Sequence, residues 1–493
     1  MPQLADFIKA YDVRGLVPEQ LSPEVARAFG AAFAEVVAIP DGNDTVVIGH
    51  DMRHSSPELS TAFAAGVTSR GIDVVIIGLC STDGLYHASG SLDLPGAMFT
   101  ASHNPAAYNG IKLCRSAARP VSADTGLVEI RDLAQWLLDG GSGLPDPVGG
   151  PGTVEVRDTL GDYARFLRGL VDLSAARPLR VVVDAGNGMA GLTVPAVLES
   201  AAGLPALPLT VIPLYFELDG TFPNHEANPL DPANLVDLQA AVREHGADLG
   251  LAFDGDADRC FVIDADGEPV SPSAITGLVA AREIARAREG GDTQVSIVHN
   301  VITSAAVPEV IREHGATPVR TRVGHSFIKA EMARTGAVFG GEHSAHYYFR
   351  DFWFADTGML AALHVLAALA EQDGSLADLA RDYERYVASG EINSTVTHTA
   401  EVVAAVRDWA QQRDATIDEL DGLTVTAPEA ASPMWWFNVR ASNTEPLLRL
   451  NVEAADRETM TGVRDEILGL IRTTRAASEP SAKDAADHDP GEQ

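Results

Sequence analysis

Positive charge is scarce in this chain, and lysine is scarcer still. Among 493 residues only Lys9, Lys112, Lys329 and Lys483 are lysine. Arginine supplies nearly all of the 36 basic residues, against 69 acidic ones, and the formal charge is −33 at pH 7. That balance argues against nucleic acid or an anionic membrane as the main partner, because both would be repelled. A phosphate-bearing small molecule would be repelled as well, unless the few cations are gathered at one place. The arginine bias itself reads as coding or salt adaptation rather than function. Cysteine is nearly absent too. Cys80, Cys114 and Cys260 are odd in number, widely spaced and lack a C-x-x-C pattern. They offer no disulfide framework or zinc site and point to a reducing compartment. No uncharged apolar run reaches ~18 residues, and the start carries Asp6, Lys9, Asp12 and Arg14 instead of an apolar leader. The expected location is cytoplasmic.

Hydrophobic residues at 46% and charged residues at 21% describe an ordinary globular chain. Its length suggests about three to four domains. Two segments read as linker or tail: residues 139–152, packed with Gly and Pro, and the chain from Ala476, which loses all periodicity. Between them a plan repeats. Short β-branched runs open at Thr45 (TVVIGHDMR), Leu179 (LRVVVDAGNG) and Val295 (VSIVHN). Each is followed by a helical stretch, a second strand, and a third segment with a polar loop between apolar runs. This pattern predicts parallel strands joined by crossover helices. The expected fold class is α/β, with three tandem related domains of mixed sheet and a smaller C-terminal α+β domain around a central cleft. Expected boundaries are 1–150, 151–262, 263–385 and 386–475, with a disordered tail over 476–493.

Ligands of open α/β sheets bind beyond the carboxyl ends of strands, so the four polar loops are the candidate site. The first is Thr100-Ala101-Ser102-His103-Asn104-Pro105, with Lys112 ten residues past the serine. Ser102 suits a nucleophile and Lys112 a phosphate counter-charge, although Ser-His-Asn-Pro is also simply a good turn sequence. The second is Asp254-Gly255-Asp256-Ala257-Asp258-Arg259. Three carboxylates at alternating positions make an oxygen-rich site for a hard cation. An EF-hand fails, since Arg259 stands where Gly is needed and Ala265 where Glu is needed. The third, Gly341-Glu342-His343-Ser344-Ala345-His346, mixes carboxylate, hydroxyl and imidazole, as suits sugar hydroxyls. The fourth runs from Arg440 through Ser442, Asn443, Thr444 and Pro446, with Arg449 beyond, and reads as a phosphate cradle. One signal competes: Gly186-Asn187-Gly188-Met189-Ala190-Gly191 fits the dinucleotide fingerprint after a strand, with Glu217 at about the right distance.

Together, T-A-S-H-N-P, D-G-D-A-D-R, G-E-x-S-A-H and R-x-S-N-T-x-P, in that order, resemble the α-D-phosphohexomutase superfamily, most nearly its bacterial phosphomannomutase/phosphoglucomutase group. The resemblance runs from Ala10-Tyr11-Asp12-Val13-Arg14-Gly15 to the arginine-rich turn. It implies a phosphoserine at Ser102 and one Mg²⁺ held by Asp254, Asp256, Asp258 and a phosphoryl oxygen on Ser102. It implies that Arg259 and Lys112 stabilise the moving charge, that Glu342 and Ser344 grip sugar hydroxyls, and that Arg440, Ser442, Asn443, Thr444 and Arg449 hold the non-reacting phosphate. Arg14 and His325 match cleft positions; His325, His103 and Arg14 are the candidates for general base. The implied activity interconverts hexose 1- and 6-phosphates through a hexose 1,6-bisphosphate, which also serves as activator, in a monomer or homodimer.

Two departures stand out: His343 replaces a frequent Met, and Val298-His299-Asn300 lacks a lysine that some relatives carry. His346 favours mannose or glucose phosphates, without separating the two. The competing readings are a phosphoglucosamine mutase, a dehydrogenase using the glycine-rich turn with NAD, and a non-catalytic sugar-phosphate binder.

Overall fold

The computed structural model describes residues 3–8, 12–147, 149–396, 398–428, 432–441 and 447–478. Three of its four sheets share one plan. In the first, Thr45–His50 lies between parallel neighbours Asp73–Leu79 and Gly96–Phe99, and Tyr108–Arg115 returns antiparallel. The second repeats this with Leu179–Asp184 between Leu209–Leu214 and Leu249–Phe253, and Cys260–Asp264 returning. The third has Ser296–Asn300 between Thr317–Thr321 and Phe339–Gly341, and Tyr347–Phe349 returning. Central strands are apolar on both faces, as at Val181, Val182 and Val183, because helices cover both sides. In each domain the polar loop joins the last parallel strand to its antiparallel return. The three loops therefore occupy equivalent places, as the element order predicted.

The fourth sheet is antiparallel throughout, in the order Val387–Thr395, Leu447–Ala454, Trp435–Ala441, Leu423–Thr426, Thr416–Asp418. Val402, Val406, Phe437, Leu450 and Ile467 form its core beneath helices Thr399–Gln411 and Arg457–Ser478.

Two expected limits shift. After the Gly/Pro segment the chain returns to the first sheet, where Val154–Val156 pairs with the open edge of Asp73–Leu79. Thr153 locks this return by donating its N–H and hydroxyl to Asp73 Oδ1, at 2.6 and 2.9 Å. The first sheet thus extends past residue 150. At the other end, helix Arg457–Ser478 runs beyond residue 475. The rest of the expected tail, 479–493, lies outside the described residues.

The first three domains meet at one carboxylate. Ser81 caps helix Thr82–Leu92 by accepting from Gly84 N at 3.2 Å. Asp83, in the first turn, accepts from the Ser81 hydroxyl, from Tyr163 Oη at 2.7 Å and from Thr357 Oγ1 at 2.6 Å. Those donors come from the first, second and third domains. Burial pushes Asp83 up to about 6.

Acid should weaken the fold through its buried histidines. Burial holds His87 and His299 down at about 4 and His364 well below its ordinary value. Desolvation lowers His103, His325, His343 and His346 in the same sense. As pH falls below 6.5 the unfolded chain takes up these protons and the folded chain does not, so stability is lost. Asp51, Asp83, Asp254 and His225, whose folded values are raised, act the other way but are outnumbered. Scanning calorimetry should show Tm falling between pH 7 and 5; a rise would contradict this balance.

Candidate active site

Ser102 sits at φ +50°, a left-handed conformation rare for a residue with a side chain. Arg53 holds it there. This guanidinium, 2% exposed, donates to the carbonyls of Ser102 at 2.9 Å, Asn104 at 2.6 Å, Pro105 at 3.0 Å and Tyr108 at 2.9 Å. Asp51 pairs with it at 3.2 Å and is itself fixed by the Ser56 hydroxyl at 2.6 Å. One buried cation thus staples the whole serine loop. Sequence reasoning missed it; the available signal was a charged His50-Asp51-Met52-Arg53 run at the carboxyl end of a strand.

The acidic loop presses directly on this turn. A Cβ on Gly255 would lie 2.4 Å from the Ser102 carbonyl oxygen, so only glycine permits the approach. Ser102 Oγ donates to Asp254 Oδ2 at 2.8 Å. Arg259 Nη2 reaches Ser102 Oγ at 3.3 Å and Asp254 Oδ2 at 2.8 Å, and it contacts His103 Nδ1. Lys112 Nζ lies 2.7 Å from Asp256 and 2.6 Å from Asp258. Burial pushes Asp254 up to about 7, with Asp258 and Asp256 adding to it against Arg259. For Asp256 burial acts the same way, but Lys112 and the Thr82 hydroxyl outweigh it and hold the carboxyl well below its usual range.

Oxygens of Asp254, Asp256 and Asp258 come within 4.8 Å of one another. Asp256 Oδ1 and Asp258 Oδ1 are buried with no hydrogen-bond partner among the described residues. With all three carboxyls ionised, Lys112 and Arg259 leave one negative charge uncompensated. An all-oxygen set with spare acceptors and residual charge fits a hard divalent cation. Asp258, His346 and Asp356 are similarly close, but that set offers an imidazole in place of a third carboxylate and suits a hard cation less well, with Lys329 2.5 Å from Asp356.

A cavity opens beside these groups, lined among others by Arg14, Ser102, His103, Lys112, Asp258, Arg259, His325 and His346. Eight of the expected residues therefore meet in one place. Burial would lower Arg14, but Asp12, 2.8 Å from its Nε, keeps it firmly charged. Desolvation pushes His325 down to about 3, so it is neutral. Tyr86 and Asp356, which the motifs did not reveal, also line the cavity, and Lys329 lies 4.3 Å over the Tyr86 ring.

The third loop is more self-satisfied than its residue types suggested. Glu342 accepts from Asn300 Nδ2 at 3.1 Å, Gly324 N at 3.2 Å and Tyr348 Oη at 2.7 Å. Ser344 Oγ lies 3.1 Å from His346 Nδ1. His343 turns to Ser273 Oγ at 3.0 Å, into a separate space between the third and fourth domains. Of the two residues near the missing lysine, Asn300 reaches the loop through Glu342, whereas His299 Nδ1 bonds Asn300 O at 3.1 Å. In the fourth domain Arg440 and Arg449 converge on Glu391 at 2.8 and 3.3 Å, outside the cavity. Their Nε atoms are buried without a partner among the described residues. Ser442, Asn443 and Thr444 lie outside the described residues.

The glycine-rich turn does not fit a dinucleotide. Cβ atoms on Gly188 and Gly191 would lie 2.7 Å from Gly255 O and 2.2 Å from Phe216 O. Met189 N donates to Gly255 O at 2.9 Å, so the turn is packing that supports the acidic loop.

Comparison with known proteins agrees with this geometry. Four family descriptions match in order: phosphoglucomutase/phosphomannomutase alpha/beta/alpha domain I over residues 6–135, domain II over 162–267, domain III over 272–386, and the C-terminal domain over 391–470. An Escherichia coli phosphomannomutase is 40% identical over 478 residues, 96% of this chain and 100% of that one. Phosphohexose mutases of Xanthomonas campestris are 41% identical over 471 residues, 94% of this chain and 98% of theirs. Among solved structures, a phosphoglucomutase/phosphomannomutase family protein from Burkholderia thailandensis superposes with a TM-score of 0.81 at 31% identity, covering 97% of this chain and 98% of that one. An Aspergillus fumigatus N-acetylphosphoglucosamine mutase, solved with GlcNAc-6P and magnesium, shares the fold at a TM-score of 0.59 and 15% identity, over 95% and 96% of the two chains. With its four domains matched in order and such relatives along almost its whole length, this chain belongs to the phosphoglucomutase/phosphomannomutase family.

Proposed function

We propose that this protein is a hexose-phosphate mutase that interconverts the 1- and 6-phosphates of mannose and glucose through a phosphoserine at Ser102. The observation that carries the reading is the meeting of Ser102 Oγ with Asp254, Arg259 and His103 at the wall of one cavity that also presents Arg14 and Lys112. Asp254, Asp256 and Asp258, with a phosphoryl oxygen on Ser102, would hold Mg²⁺. When bound, it supplies charge neutralisation for the transferring phosphoryl group.

Phosphoserine 102 gives its phosphoryl group to the free hydroxyl of a hexose phosphate, breaking the Ser Oγ–P bond and forming a sugar O–P bond. The hydroxyl proton leaves to a base in the cavity, and the freed Ser102 Oγ takes up a proton in its place. The resulting hexose 1,6-bisphosphate turns over, and its other phosphoryl group returns to Ser102. Free bisphosphate would keep the serine loaded, which accounts for an activator role. Arg259 and Lys112 neutralise the charge that moves between the two oxygens. Arg14, locked as a cation by Asp12, serves charge rather than proton acceptance, which leaves His325 and His103 in the cavity wall for the proton, their basicity raised when a phosphate dianion binds beside them.

His346 stands in the cavity and supports a neutral hexose rather than an amino sugar. Glu342 and Ser344 would meet the sugar hydroxyls once the substrate competes for their present partners. Arg440 and Arg449, with Ser442, Asn443 and Thr444, would exchange Glu391 for the non-reacting phosphate. No helix among the described residues is long and apolar enough to cross a membrane. With three buried free thiols, the cytoplasm is the proposed setting.

Two measurements test this. The purified protein should convert mannose 1-phosphate and glucose 1-phosphate to their 6-phosphates, with intact mass showing one phosphoryl adduct. Ser102→Ala should lose the adduct and turnover, on the order of 10⁶-fold as for other lost nucleophiles. Undiminished turnover in that variant would overturn the mechanism. Gly255→Ala should separate the serine and acidic loops, and a misplacement of ~1 Å costs about 10²-fold. Steady-state kinetics should show that loss in kcat, with KM little changed.

A further inference from the structure

We infer that Thr82 is a positioning residue that fixes the orientation of the Asp256 carboxylate, so that one of its oxygens stays free to face a bound cation. The inference rests on the proposed metal role of Asp254, Asp256 and Asp258, and goes beyond it to a residue of another domain that would touch neither metal nor substrate. Thr82 is fully buried at the start of helix Thr82–Leu92 in the first domain, while Asp256 belongs to the second. Its hydroxyl donates to Asp256 Oδ2 at 2.6 Å, and its backbone N–H donates to the Asp256 carbonyl at 3.0 Å. Lys112 Nζ donates to the same Oδ2 at 2.7 Å.

Two donors therefore crowd onto one carboxylate oxygen and leave the other bare. Asp256 Oδ1 is buried and has no hydrogen-bond partner among the described residues. Its neighbour Asp254 differs, because Oδ1 accepts from Arg259 N at 3.2 Å and Oδ2 from Ser102 and Arg259. The two oxygens of a carboxylate are equivalent, but its plane swings freely about χ2 unless a fixed donor holds it. Lys112 is a poor gatekeeper, because its flexible ammonium is shared with Asp258. Thr82 is fixed: Ser81 caps its helix, and the adjacent Asp83 is tied to Tyr163 and Thr357. Groups that orient metal-binding carboxylates typically change affinity 10–100-fold when removed.

The test uses the full chain and Mn²⁺ as a paramagnetic probe, with free Mn²⁺ read by electron paramagnetic resonance. Wild-type protein should bind one Mn²⁺ at the acidic loop. Thr82→Val, which keeps the shape and removes the hydroxyl, should weaken that binding by roughly 10-fold or more. Thr82→Ala should do the same and serves if the valine variant does not fold. Thr82→Ser, which retains the donor, should bind like wild type even if its unfolding midpoint drops. A purely structural role would track the midpoint rather than the hydroxyl. Wild-type Mn²⁺ affinity in both the valine and alanine variants, or equal losses in serine and valine, would overturn the inference. Absence of Mn²⁺ binding by the wild type would instead overturn the metal reading beneath it.

Discussion

Three carboxylates buried side by side repel one another, and the loop that carries Asp254, Asp256 and Asp258 holds its shape only because donors are brought to it. Its own domain supplies Arg259. Lys112, on the return strand of the first sheet, and Thr82, at a helix start in the same sheet's domain, come from elsewhere. The acidic loop is therefore completed only when the first domain closes against the second. Domain packing and assembly of the site are one event, and Asp83, beside Thr82, extends the coupling to Tyr163 and Thr357.

The same arrangement resolves the problem posed by a chain of net charge −33 that handles phosphate. At physiological ionic strength exposed charges are screened beyond ~8 Å, so the distant acidic surface contributes little inside a cavity. Inside it Arg14, Lys112 and Arg259 stand against Asp12, Asp258 and Asp356, so the walls are locally near neutral and a phosphoryl group would meet three cations at short range. Both lysines among the described residues, Lys112 and Lys329, belong to this neighbourhood.

Much of this was legible before any coordinates. Unbroken apolar runs such as Val181 to Val183 betray strands covered on both faces, and their recurrence revealed three equivalent sheets. Small polar loops after such strands placed Ser102, Asp254 to Arg259 and His346 in one cleft. Other features stayed hidden because they depend on partners far along the chain. Arg53 looked like an ordinary charge, yet it binds carbonyls at Ser102, Asn104, Pro105 and Tyr108. The turn Gly186 to Gly191 matched a nucleotide fingerprint, yet Gly188 and Gly191 are there for close contact with Gly255 and Phe216. Val154 to Val156 followed an apparent linker, yet it completes the first sheet.

Residue order alone determined the number and type of layers, the sequence of loops and the chemical groups each loop offers, because periodicity and turn chemistry are local properties. Tertiary structure alone decided that one oxygen of Asp256 is left bare, that Glu342 is already engaged by Asn300, Gly324 and Tyr348, and that Arg440 and Arg449 share Glu391. Those outcomes are competitions among donors and acceptors from separate domains, and they are settled only when the chain brings the competitors within hydrogen-bonding distance.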